Sequence, residues 1–335
     1  MSKNIAINGF GRIGKAFLRT IVKNENSVKE LNVSCINIGP SDQKDLDIFF
    51  KYDSVLGTFD GTVEQKNDSL VINGHEIKIL SEPDVTKIDW SKFDIDWVID
   101  ASGRFTKRDQ AELHIKSGSK KILITAPATD EDVTIIPGVN DQAYDSEKHK
   151  IVSLGSCTTN CFAPIVKIIK DNFGLNQGFM TTVHAYTNNQ ALLDSEHKDP
   201  RRGRAAAINM IPTSTGADKV VVKIFPELKG KLKASSLRVP VPVVSIVDFT
   251  FTTEKEITKE SLNSAFENAS KNDLKNILCY ETKPLVSSDF ICSQYSCIFD
   301  SLLTEANGKM GKVSGWYDNE YGYSSRLTDF LLHNS

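Results

Sequence analysis

The sequence predicts an α/β protein with two domains, a parallel-sheet domain followed by an α+β domain. Its 335 residues suffice for two domains, because one domain commonly takes about 100–200 residues. From residue 4 to about residue 150, short β-branched runs alternate with longer helical patterns, which is typical of a parallel sheet flanked by helices. Beyond residue 157 this alternation ends, and helices and strands follow in an α+β order.

The first domain begins with a strand, a helix and a second strand, which together make a βαβ unit. The helix covers residues 12–24, where apolar side chains recur at helical spacing. Residues 56–80 contain Asn-Asp and Asn-Gly turn pairs, which favour antiparallel hairpins inserted into this domain. The strands predicted outside those hairpins cover residues 4–7, 33–37, 97–100, 121–124, 135–136 and 150–152.

The second domain begins with a helix over residues 159–173 and a strand over residues 178–185. Residues 186–204 then lack clear periodicity and are rich in Asn, Asp, Pro, Gly and Arg. Long irregular segments in compact domains are often functional, so we expect a functional loop here. The later elements predicted are helices over residues 217–224, 259–268 and 321–332, and strands over residues 235–239, 245–253, 296–300 and 309–316.

The composition is that of an ordinary globular protein. Of the residues, 40% are hydrophobic and 25% are charged, and the formal net charge of −3 favours neither nucleic acid nor anionic membranes. No window approaches 18 uninterrupted apolar residues, and the first residues lack the apolar core of a signal peptide. Six cysteines in a chain of this length favour free thiols in a reducing compartment. We therefore expect a cytoplasmic protein with no membrane span, no metal site and no nucleic acid as its primary partner.

The run Gly9-Phe10-Gly11-Arg12-Ile13-Gly14 stands between the first strand and the first helix. Its glycines permit a tight turn and let a pyrophosphate approach backbone N–H groups at the positive end of the helix. Glycine-rich turns also occur for packing reasons, but the strand–turn–helix context favours dinucleotide binding. We therefore predict a Rossmann-type domain in which the six residues of this run bind the cofactor.

The carboxylate that usually selects the cofactor is missing from its usual place. In many dinucleotide-binding domains the second strand ends in an acidic residue that bonds the adenine ribose hydroxyls. Here that strand runs into Ile38-Gly39-Pro40-Ser41, and the first carboxylate is Asp42. Ser41 or Lys44 could contact a 2′-phosphate, whereas Asp42 could curl back and keep the site suited to NAD. The sequence therefore leaves both NAD and NADP open.

Cys157 lies on a turn between a strand and an apolar-faced helix, where the helix dipole favours a thiolate. Most cysteines are instead small, inert core residues, and we interpret Cys161 in that way. His184 stands near the end of the next strand, from which a histidine can reach a cysteine and act as its general base. The pattern alone leaves open whether Cys157 and His184 meet.

Runs around these residues and elsewhere are similar to those of one enzyme family. In chain order they are NGFGRIG (8–14), SCTTNC (156–161), HAYTN (184–188), KDPRRGR (198–204), IPTSTGA (211–217), FPEL (225–228), RVP (238–240) and WYDNEYGYS (316–324). Together they span nearly the whole chain. By these runs the chain resembles the phosphorylating glyceraldehyde-3-phosphate dehydrogenase family.

The resemblance implies oxidation of D-glyceraldehyde 3-phosphate to 1,3-bisphosphoglycerate, in glycolysis or gluconeogenesis. Cys157 is expected to carry the substrate as a thioester, with His184 as general base and hydride passing to NAD or NADP. Inorganic phosphate then releases the acyl phosphate. The resemblance further implies a homotetramer and three segments: a dinucleotide-binding domain over 1–155, a catalytic domain with a mostly antiparallel sheet over 156–319, and a C-terminal helix over 320–335 that returns to the first domain.

The resemblance also implies which residues hold the two anions and the nicotinamide. Hydroxyls and backbone N–H groups position phosphate oxygens, and guanidinium groups neutralise their charge. The matching phosphate-binding positions are Ser156, Thr158, Thr187, Arg204, Thr215, Gly216 and Arg238. The matching nicotinamide-side positions are Thr125, Asn319 and Tyr323. Arg201 and Arg202 are assigned to structural or subunit-interface roles.

The chain departs from the family at several positions, and two rival functions stay open. Pro83 stands where an arginine is common, and Ser195-Glu196 where NAD-preferring relatives often carry Leu-Pro, so the cofactor preference stays open. No consequence can be assigned to the departures at Leu154, Ala191 and Val243. An erythrose-4-phosphate dehydrogenase would hydrolyse the thioester, but the family's phosphate-binding positions favour phosphorylation. A non-catalytic binding protein on this fold would be expected to lack the nucleophile or the base, and both are present.

Overall fold

The computed structural model describes residues 2–41 and 44–334, and the chain divides into two compact units. The first unit contains Met1–Ile135, Asp141–Gly155 and Ser324–Ser335, and the second contains Ile136–Asn140 and Ser156–Tyr323. Asp42, a candidate ribose partner by sequence, lies outside the described residues. Within the described part, no helix combines the length and the apolar character needed to cross a membrane.

The first unit contains a sheet whose central strands are all parallel. Over the described residues its strands are β1 (Lys3–Asn8), β2 (Leu31–Asn37), β3 (Val63–Lys66), β4 (Ser69–Ile72), β5 (His75–Leu80), β6 (Trp97–Asp100), β7 (Lys121–Ile124), β8 (Val133–Thr134) and β9 (Ile151–Ser153). Their order is β3-β4-β5-β2-β1-β6-β7-β9-β8, and only the β3–β4 and β4–β5 pairs are antiparallel. The strand order reverses at β1, which is the switch point where sheets of this kind bind ligands. The predicted Rossmann-type fold is confirmed.

Helices connect these strands, and three of these helices were not predicted from the sequence. In the described part of the unit they are α1 (Arg12–Val22), α2 (Glu25–Glu30), α3 (Leu46–Lys51) and α4 (Arg108–Lys116). The apolar face of α1 is buried, as its spacing predicts. The expected helix over 12–24 ends at Val22, because the Asn24 side chain accepts the N–H of Asn26 at 2.9 Å and starts α2.

One predicted strand is wrong, and the predicted hairpins are confirmed. The strand expected at residues 135–136 lies instead at β8, Val133–Thr134. Ile136 begins a turn, because its N–H donates to the Asn140 side chain at 2.7 Å. The β3–β4 and β4–β5 hairpins turn at Asn67 and Asn73, both with positive φ. β5 also pairs in parallel with β2, so the hairpins extend the main sheet.

The second unit is built on a mostly antiparallel sheet, as expected. The described strands are β10 (Leu175–Ala185), β11 (Ile211–Thr213), β12 (Leu232–Val239), β13 (Ser245–Thr253), β14 (Leu278–Glu281), β15 (Cys297–Asp300), β16 (Glu305–Asn307) and β17 (Met310–Tyr317). Their order is β11-β12-β10-β13-β17-β15-β14, with β16 paired to β17. Among these, only the β10–β12 and β14–β15 pairs are parallel. The parallel pair β10–β12 brings two strand ends to one edge, which matters for the site.

The later helices are α5 (Cys157–Phe173), α6 (Ala217–Ile224), α7 (Lys259–Lys271) and α8 (Tyr321–His333). α5 packs on the sheet, where the Phe162 and Phe249 rings meet edge to face at 4.9 Å. Each such buried side chain stabilises the fold by about 1.5–3 kcal/mol. α5 begins two residues earlier than predicted, so Cys157 itself is its first residue. α8 begins within the second unit and belongs to the first from Ser324 onward.

Candidate active site

In the first unit, the glycine turn between β1 and α1 has one open position and two crowded ones. A side chain on Gly9, whose φ is +96°, would place its Cβ 2.6 Å from the Ser102 nitrogen, and one on Gly14 would collide with the Gly9 carbonyl. A Cβ on Gly11 would meet no protein atom within 4 Å. Gly9 and Gly14 are therefore needed for packing, whereas Gly11 leaves space beside the helix N-terminus. That arrangement fits a pyrophosphate.

The other residues of this run are held by neighbours in the same unit. Phe10 stacks on Phe50 with ring centroids 6.2 Å apart, and the Arg12 guanidinium pairs with Asp53. Burial alone would raise the pKa of Asp53, but the Arg12 hydrogen bond and backbone N–H groups lower it to about 2. Arg12 therefore faces a carboxylate that stays charged at neutral pH, and this ion pair fixes the first turn of α1.

A buried polar cluster lies at the carboxyl ends of β1, β2 and β6. The Asn37 amide donates to Asn8 Oδ1 at 2.8 Å, and the Asn8 amide donates to Asp100 Oδ1 at 2.8 Å. Asp100 Oδ2 is buried and has no hydrogen bond within the described residues, and burial raises the pKa of this carboxyl. Each of these residues is the last residue of its strand, and a polar residue in that place in the sequence could have indicated a role at the site. We call these three residues the amide cluster.

The chain leaves β2 at Asn37 without a carboxylate at the next position. Ile38 follows, and Gly39 adopts a φ of +70°. The Ser81 hydroxyl donates to the Gly39 carbonyl at 3.1 Å and so holds this turn. Thr125, at the end of β7, donates its hydroxyl to the Asp100 carbonyl at 3.0 Å, beside the amide cluster. The predicted cofactor residues of the first unit therefore lie along the carboxyl edge of its sheet.

In the second unit, the structure brings Cys157 and His184 together. Cys157 Sγ lies 3.6 Å from His184 Nε2. Cys157 opens α5, and the Ser156 hydroxyl before it accepts the N–H of Thr159 at 3.2 Å, which caps the helix. Burial raises the pKa of the Cys157 thiol, while Arg238 opposes that rise. Burial and the Arg238 charge lower the pKa of His184 to about 3. Each shift disfavours the charged form of its own group.

Arg238 lies directly beside the histidine. In the parallel pairing of β10 with β12, Arg238 is the register partner of His184. Its Nη1 lies 2.9 Å from His184 Nδ1, 2.9 Å from the Ala185 carbonyl oxygen and 3.5 Å from the Thr187 hydroxyl. Arg238, predicted as phosphate-binding, thus contacts the base, and it also contacts Thr187, another predicted phosphate-binding residue.

Arg204 does not contact this group, whereas the charge of Arg202 acts on Arg238. The Arg204 guanidinium pairs with Asp194 at 2.7 Å, and its side chain is 63% exposed. Arg202, only 20% exposed, donates to the Thr213 hydroxyl at 2.8 Å and the Asn189 side chain at 2.8 Å. Burial, and the nearby Arg202 charge, lower the pKa of Arg238. Counting arginines along KDPRRGR could not reveal which one turns inward.

Three buried hydroxyls form a network through Tyr317, whose ring lies beside His184. Tyr317 OH contacts the Thr158 hydroxyl at 2.9 Å and the Thr182 hydroxyl at 2.8 Å. The Tyr317 ring lies edge-on to His184 at 6.0 Å. The Thr158 hydroxyl, predicted to bind phosphate, contacts Tyr317 in this buried network, and its backbone N–H lies in the first turn of α5. Tyr317 was not predicted as a site residue, although it lies in the WYDNEYGYS run.

The last predicted phosphate-binding residues lie at the start of α6. The Thr215 hydroxyl accepts the N–H of Ala217 at 3.3 Å. Gly216 precedes the helix, and a Cβ there would meet no atom within 4 Å. Free space beside backbone N–H groups suits an oxyanion. No hydrogen bond within the described residues joins Thr215 to Arg238.

Ser245 ties the histidine strand to Asn319, a predicted nicotinamide partner. The Ser245 hydroxyl accepts the N–H of Ala185 at 3.0 Å and donates to Asn319 Oδ1 at 3.2 Å. Val244, just before it, is buried with a φ of +68°, an unusual conformation for a β-branched residue. Such strain costs about 1–3 kcal/mol and is common at functional sites. Tyr323, the other predicted partner, is buried in the same unit.

Comparison with known proteins bears on both units. A family model described as the NAD binding domain of glyceraldehyde 3-phosphate dehydrogenase matches residues 3–108, and one described as its C-terminal domain matches residues 156–319. Glyceraldehyde-3-phosphate dehydrogenase 1 of Bacillus cereus is 48% identical over 98% of this chain and 97% of its own. The glyceraldehyde-3-phosphate dehydrogenase of Geobacillus stearothermophilus is 47% identical over 99% and 98%. This chain belongs to the glyceraldehyde 3-phosphate dehydrogenase family.

Proposed function

We propose that this protein is a phosphorylating glyceraldehyde-3-phosphate dehydrogenase that works through a thioester on Cys157. The observation that carries this proposal is the 3.6 Å contact between Cys157 Sγ and His184 Nε2 at the first residue of α5. A thiol beside an imidazole can attack a carbonyl carbon, because the imidazole takes the thiol proton. The glycine turn of the first unit fits a dinucleotide, which would be the oxidant in this reaction and which a thiol hydrolase would not need.

The first covalent step joins Cys157 to the aldehyde. The sulfur forms a bond to the aldehyde carbon as the thiol proton passes to His184, and His184 passes that proton on to the carbonyl oxygen, which becomes a hydroxyl. His184 then removes the proton of that hydroxyl while the carbon loses a hydride, which leaves a thioester on Cys157. When bound, the nicotinamide ring accepts that hydride. Inorganic phosphate attacks the thioester carbon, the carbon–sulfur bond breaks as the proton on His184 returns to the sulfur, and the acyl phosphate leaves.

Two oxyanions take part, and the second unit has groups suited to both. Arg238 and Thr187 are in contact beside His184, and Arg202 adds a second guanidinium close by. Guanidinium groups bind phosphate through paired hydrogen bonds. We propose Arg202, rather than the exposed Arg204, as the second phosphate-binding arginine. Ser156, the backbone of Thr158, and the Thr215-Gly216 turn complete the proposed set.

The bound cofactor is a dinucleotide of the NAD type, and we propose that the enzyme accepts both NAD and NADP. The turn over residues 9–14 and Thr125 fit the pyrophosphate and its surroundings, while Asn319 and Tyr323 are proposed to contact the nicotinamide end. Among the described residues, the Asn319 amide nitrogen makes no hydrogen bond, which suits it to a carboxamide. Ile38 stands where a carboxylate would repel a 2′-phosphate, so that repulsion is absent at this position.

The experiment that tests this function is a steady-state assay with glyceraldehyde 3-phosphate. NAD is compared with NADP, each with and without inorganic phosphate, and the Cys157→Ser variant serves as the control. We expect turnover that requires phosphate and the thiol, with measurable rates for both cofactors. Faster turnover of erythrose 4-phosphate without phosphate would favour the hydrolytic relative instead. No dehydrogenase activity with any of these substrates would favour a binding role.

We also propose that the protein is a homotetramer in the cytoplasm. Several large apolar side chains of the second unit are exposed, as expected of a surface that another copy covers. They are Phe179, Leu192, Leu193, Ile208 and Met210. Light scattering coupled to size-exclusion chromatography measures the assembly directly. A monomer at micromolar concentration would contradict the tetramer without affecting the proposed chemistry.

A further inference from the structure

Asn37, the last residue of β2, contacts three separate loops at the carboxyl edge of the sheet in the first unit. Its backbone carbonyl accepts the N–H of Gly9, in the glycine turn, at 2.9 Å. Its side chain forms hydrogen bonds with Gly39, in the loop after β2, and with Glu82, in the segment after β5. Asn37 is only 2% exposed. One buried residue therefore joins all three loops.

Every hydrogen-bonding position of the Asn37 amide is used. Its Oδ1 accepts the Glu82 N–H at 3.0 Å and the Gly39 N–H at 3.3 Å. Its Nδ2 donates to the Glu82 carbonyl at 2.9 Å and to Asn8 Oδ1 at 2.8 Å. An amide oxygen accepts two hydrogen bonds and an amide nitrogen donates two. The Asn37 side chain therefore has no hydrogen bond left to offer a ligand and acts on the protein alone.

The backbone of Glu82 determines the orientation of this amide. A backbone N–H only donates and a backbone carbonyl only accepts, so exchange of Oδ1 and Nδ2 would break both bonds to Glu82. The same orientation gives Asn8 a donor at Oδ1 and leaves its nitrogen to donate to Asp100. An aspartate in place of Asn37 would keep the acceptors and lack both donors. The position therefore requires an amide.

The Ser81 hydroxyl ties the same two segments together from their exposed side. It lies 3.1 Å from the Gly39 carbonyl oxygen and also contacts the Ser41 carbonyl oxygen. Both carbonyls belong to the loop after β2, whereas Ser81 follows β5 directly. The loop over residues 38–41 is thus held by two side chains that lie outside it, one buried and one exposed.

We propose that Asn37 is a positioning residue that, together with Ser81, holds the loops after β2 and β5 in their cofactor-binding arrangement before the cofactor arrives. This inference rests on the proposed placement of the dinucleotide along this edge of the sheet. A loop that is already ordered loses less conformational freedom on binding, so the cofactor binds more tightly. Ile38 lies in the same loop, so these tethers also hold the residue that we propose to influence cofactor choice.

The direct test is calorimetric titration with ADP-ribose, which contains the adenosine and pyrophosphate parts of the cofactor and no nicotinamide. We expect the Kd of Asn37→Ala to be about tenfold higher than that of the wild type, because its loops must be ordered on binding. Asn32→Ala is the matched control. It removes an exposed amide of the same strand, one that bonds Asn4 and Ser34, and should bind as the wild type does. An unchanged Kd in Asn37→Ala would overturn the proposal.

Hydrogen–deuterium exchange without cofactor tests the positioning itself, by mass spectrometry of peptides that cover residues 38–41 and 81–84. We expect faster exchange in Asn37→Ala, because the N–H groups of Gly39 and Glu82 lose their acceptor. The Gly9 N–H bonds the backbone carbonyl of residue 37, which the substitution keeps, so the peptide that contains Gly9 is the internal reference. Unchanged exchange in the two loops, or an equal increase in the reference peptide, would contradict the positioning role.

Ser81→Ala tests the same idea without disturbing the buried amide. Ser81 is exposed, so this variant is expected to fold even if Asn37→Ala does not. We expect its Kd for ADP-ribose to rise about threefold, as for the loss of one hydrogen bond. Ser91→Ala removes an exposed hydroxyl that bonds Asp89 and serves as the control. An unchanged Kd in Ser81→Ala would contradict the role of Ser81 and, if Asn37→Ala does not fold, the whole proposal.

Steady-state kinetics separate positioning from a role in the chemistry. With glyceraldehyde 3-phosphate, Asn37→Ala should raise the KM for the cofactor about tenfold and keep kcat within about twofold, because no reacting atom belongs to these loops. A lower kcat with an unchanged KM for the cofactor would contradict the proposal. If the wild type bound neither NAD nor ADP-ribose, the proposed cofactor site would fail instead, so the two failures are distinguishable.

Discussion

Two buried polar clusters, one in each unit, lie at the carboxyl ends of parallel strands, yet their hydrogen bonds are matched differently. In the amide cluster, Asn37 donates to Asn8 and Asn8 donates to Asp100, so each amide has a fixed partner. In the cluster around His184, the Ala185 carbonyl oxygen lies 2.7 Å and Arg238 Nη1 2.9 Å from Nδ1 of the same imidazole. A matched cluster holds a single geometry and can support a bound cofactor. In the cluster around His184, a neutral Nδ1 can donate to the carbonyl or accept from the guanidinium but not both, so its hydrogen bonds are not all matched.

The largest effect is expected from removal of the Cys157 thiol, which lies beside the cluster around His184, and this effect is on kcat. Cys157→Ser should lower kcat by at least about 10³-fold, because the hydroxyl is a much weaker nucleophile than the thiol it replaces. Cys161→Ala, on the same helix and buried beside the sheet, is the matched control and should keep most of the activity. Steady-state kinetics and circular dichroism of both variants make the check. Equal losses in the two variants would show that the helix, and not the thiol, was disturbed.

A change at the end of β2 should alter cofactor choice by an intermediate amount. Ile38→Asp places a carboxylate after Asn37, where it can bond ribose hydroxyls and repel a 2′-phosphate. We expect the ratio of kcat/KM for NADP to that for NAD to fall about tenfold or more, which corresponds to about 1.4 kcal/mol. Ile38→Asn, without the charge, is the control and should change the ratio much less. An unchanged ratio in Ile38→Asp would place cofactor selection elsewhere.

The smallest effect is expected from a substitution in the amide cluster, and it is a change in the melting temperature of the protein. Burial raises the pKa of Asp100, so the folded protein disfavours its charged form. The contribution of Asp100 to the stability of the wild type is therefore present at low pH. It is lost as the pH rises through the pKa that Asp100 has in the folded protein. Asp100→Asn cannot ionise, so its Tm should exceed that of the wild type at pH 8, with a smaller difference at pH 5. Calorimetry at the two pH values measures this, and a lower Tm at pH 8 would mean that the charge is well solvated.

Features determined by local backbone chemistry could be predicted from the sequence. The turn at Gly9–Gly14 is such a feature. Side chains are excluded at Gly9 and Gly14 because neighbouring backbone atoms lie too close, and Gly9 also has a positive φ. The bounds of α6 and β13 agree with the predicted ranges because their apolar spacing is regular. By contrast, α4 buries only Ala111 and His114, so its pattern is too polar to indicate a helix.

Contacts between distant parts of the chain could not be predicted in this way. The pairing of His184 with Arg238 depends on the register of β10 with β12. The inward turn of Arg202, and not Arg204, depends on its bonds to Thr213 and Asn189 across the loop. Tyr317 reaches Thr158 and Thr182 only because α5, β10 and β17 pack together. Family resemblance suggested the residues of the site, whereas the folded chain reveals the competition among them.

The residue that follows β2 has a consequence for metabolic flux. An enzyme cannot shift the equilibrium of its reaction, so the pool from which it draws its cofactor determines the net direction. If the enzyme accepts both cofactors, as proposed, one active site would serve an oxidised NAD pool and a reduced NADP pool in turn. Oxidation with the first and reduction with the second would carry hydride from one pool to the other, with the triose regenerated at each cycle. Through the absence of a carboxylate at Ile38, one enzyme would thereby couple two redox pools.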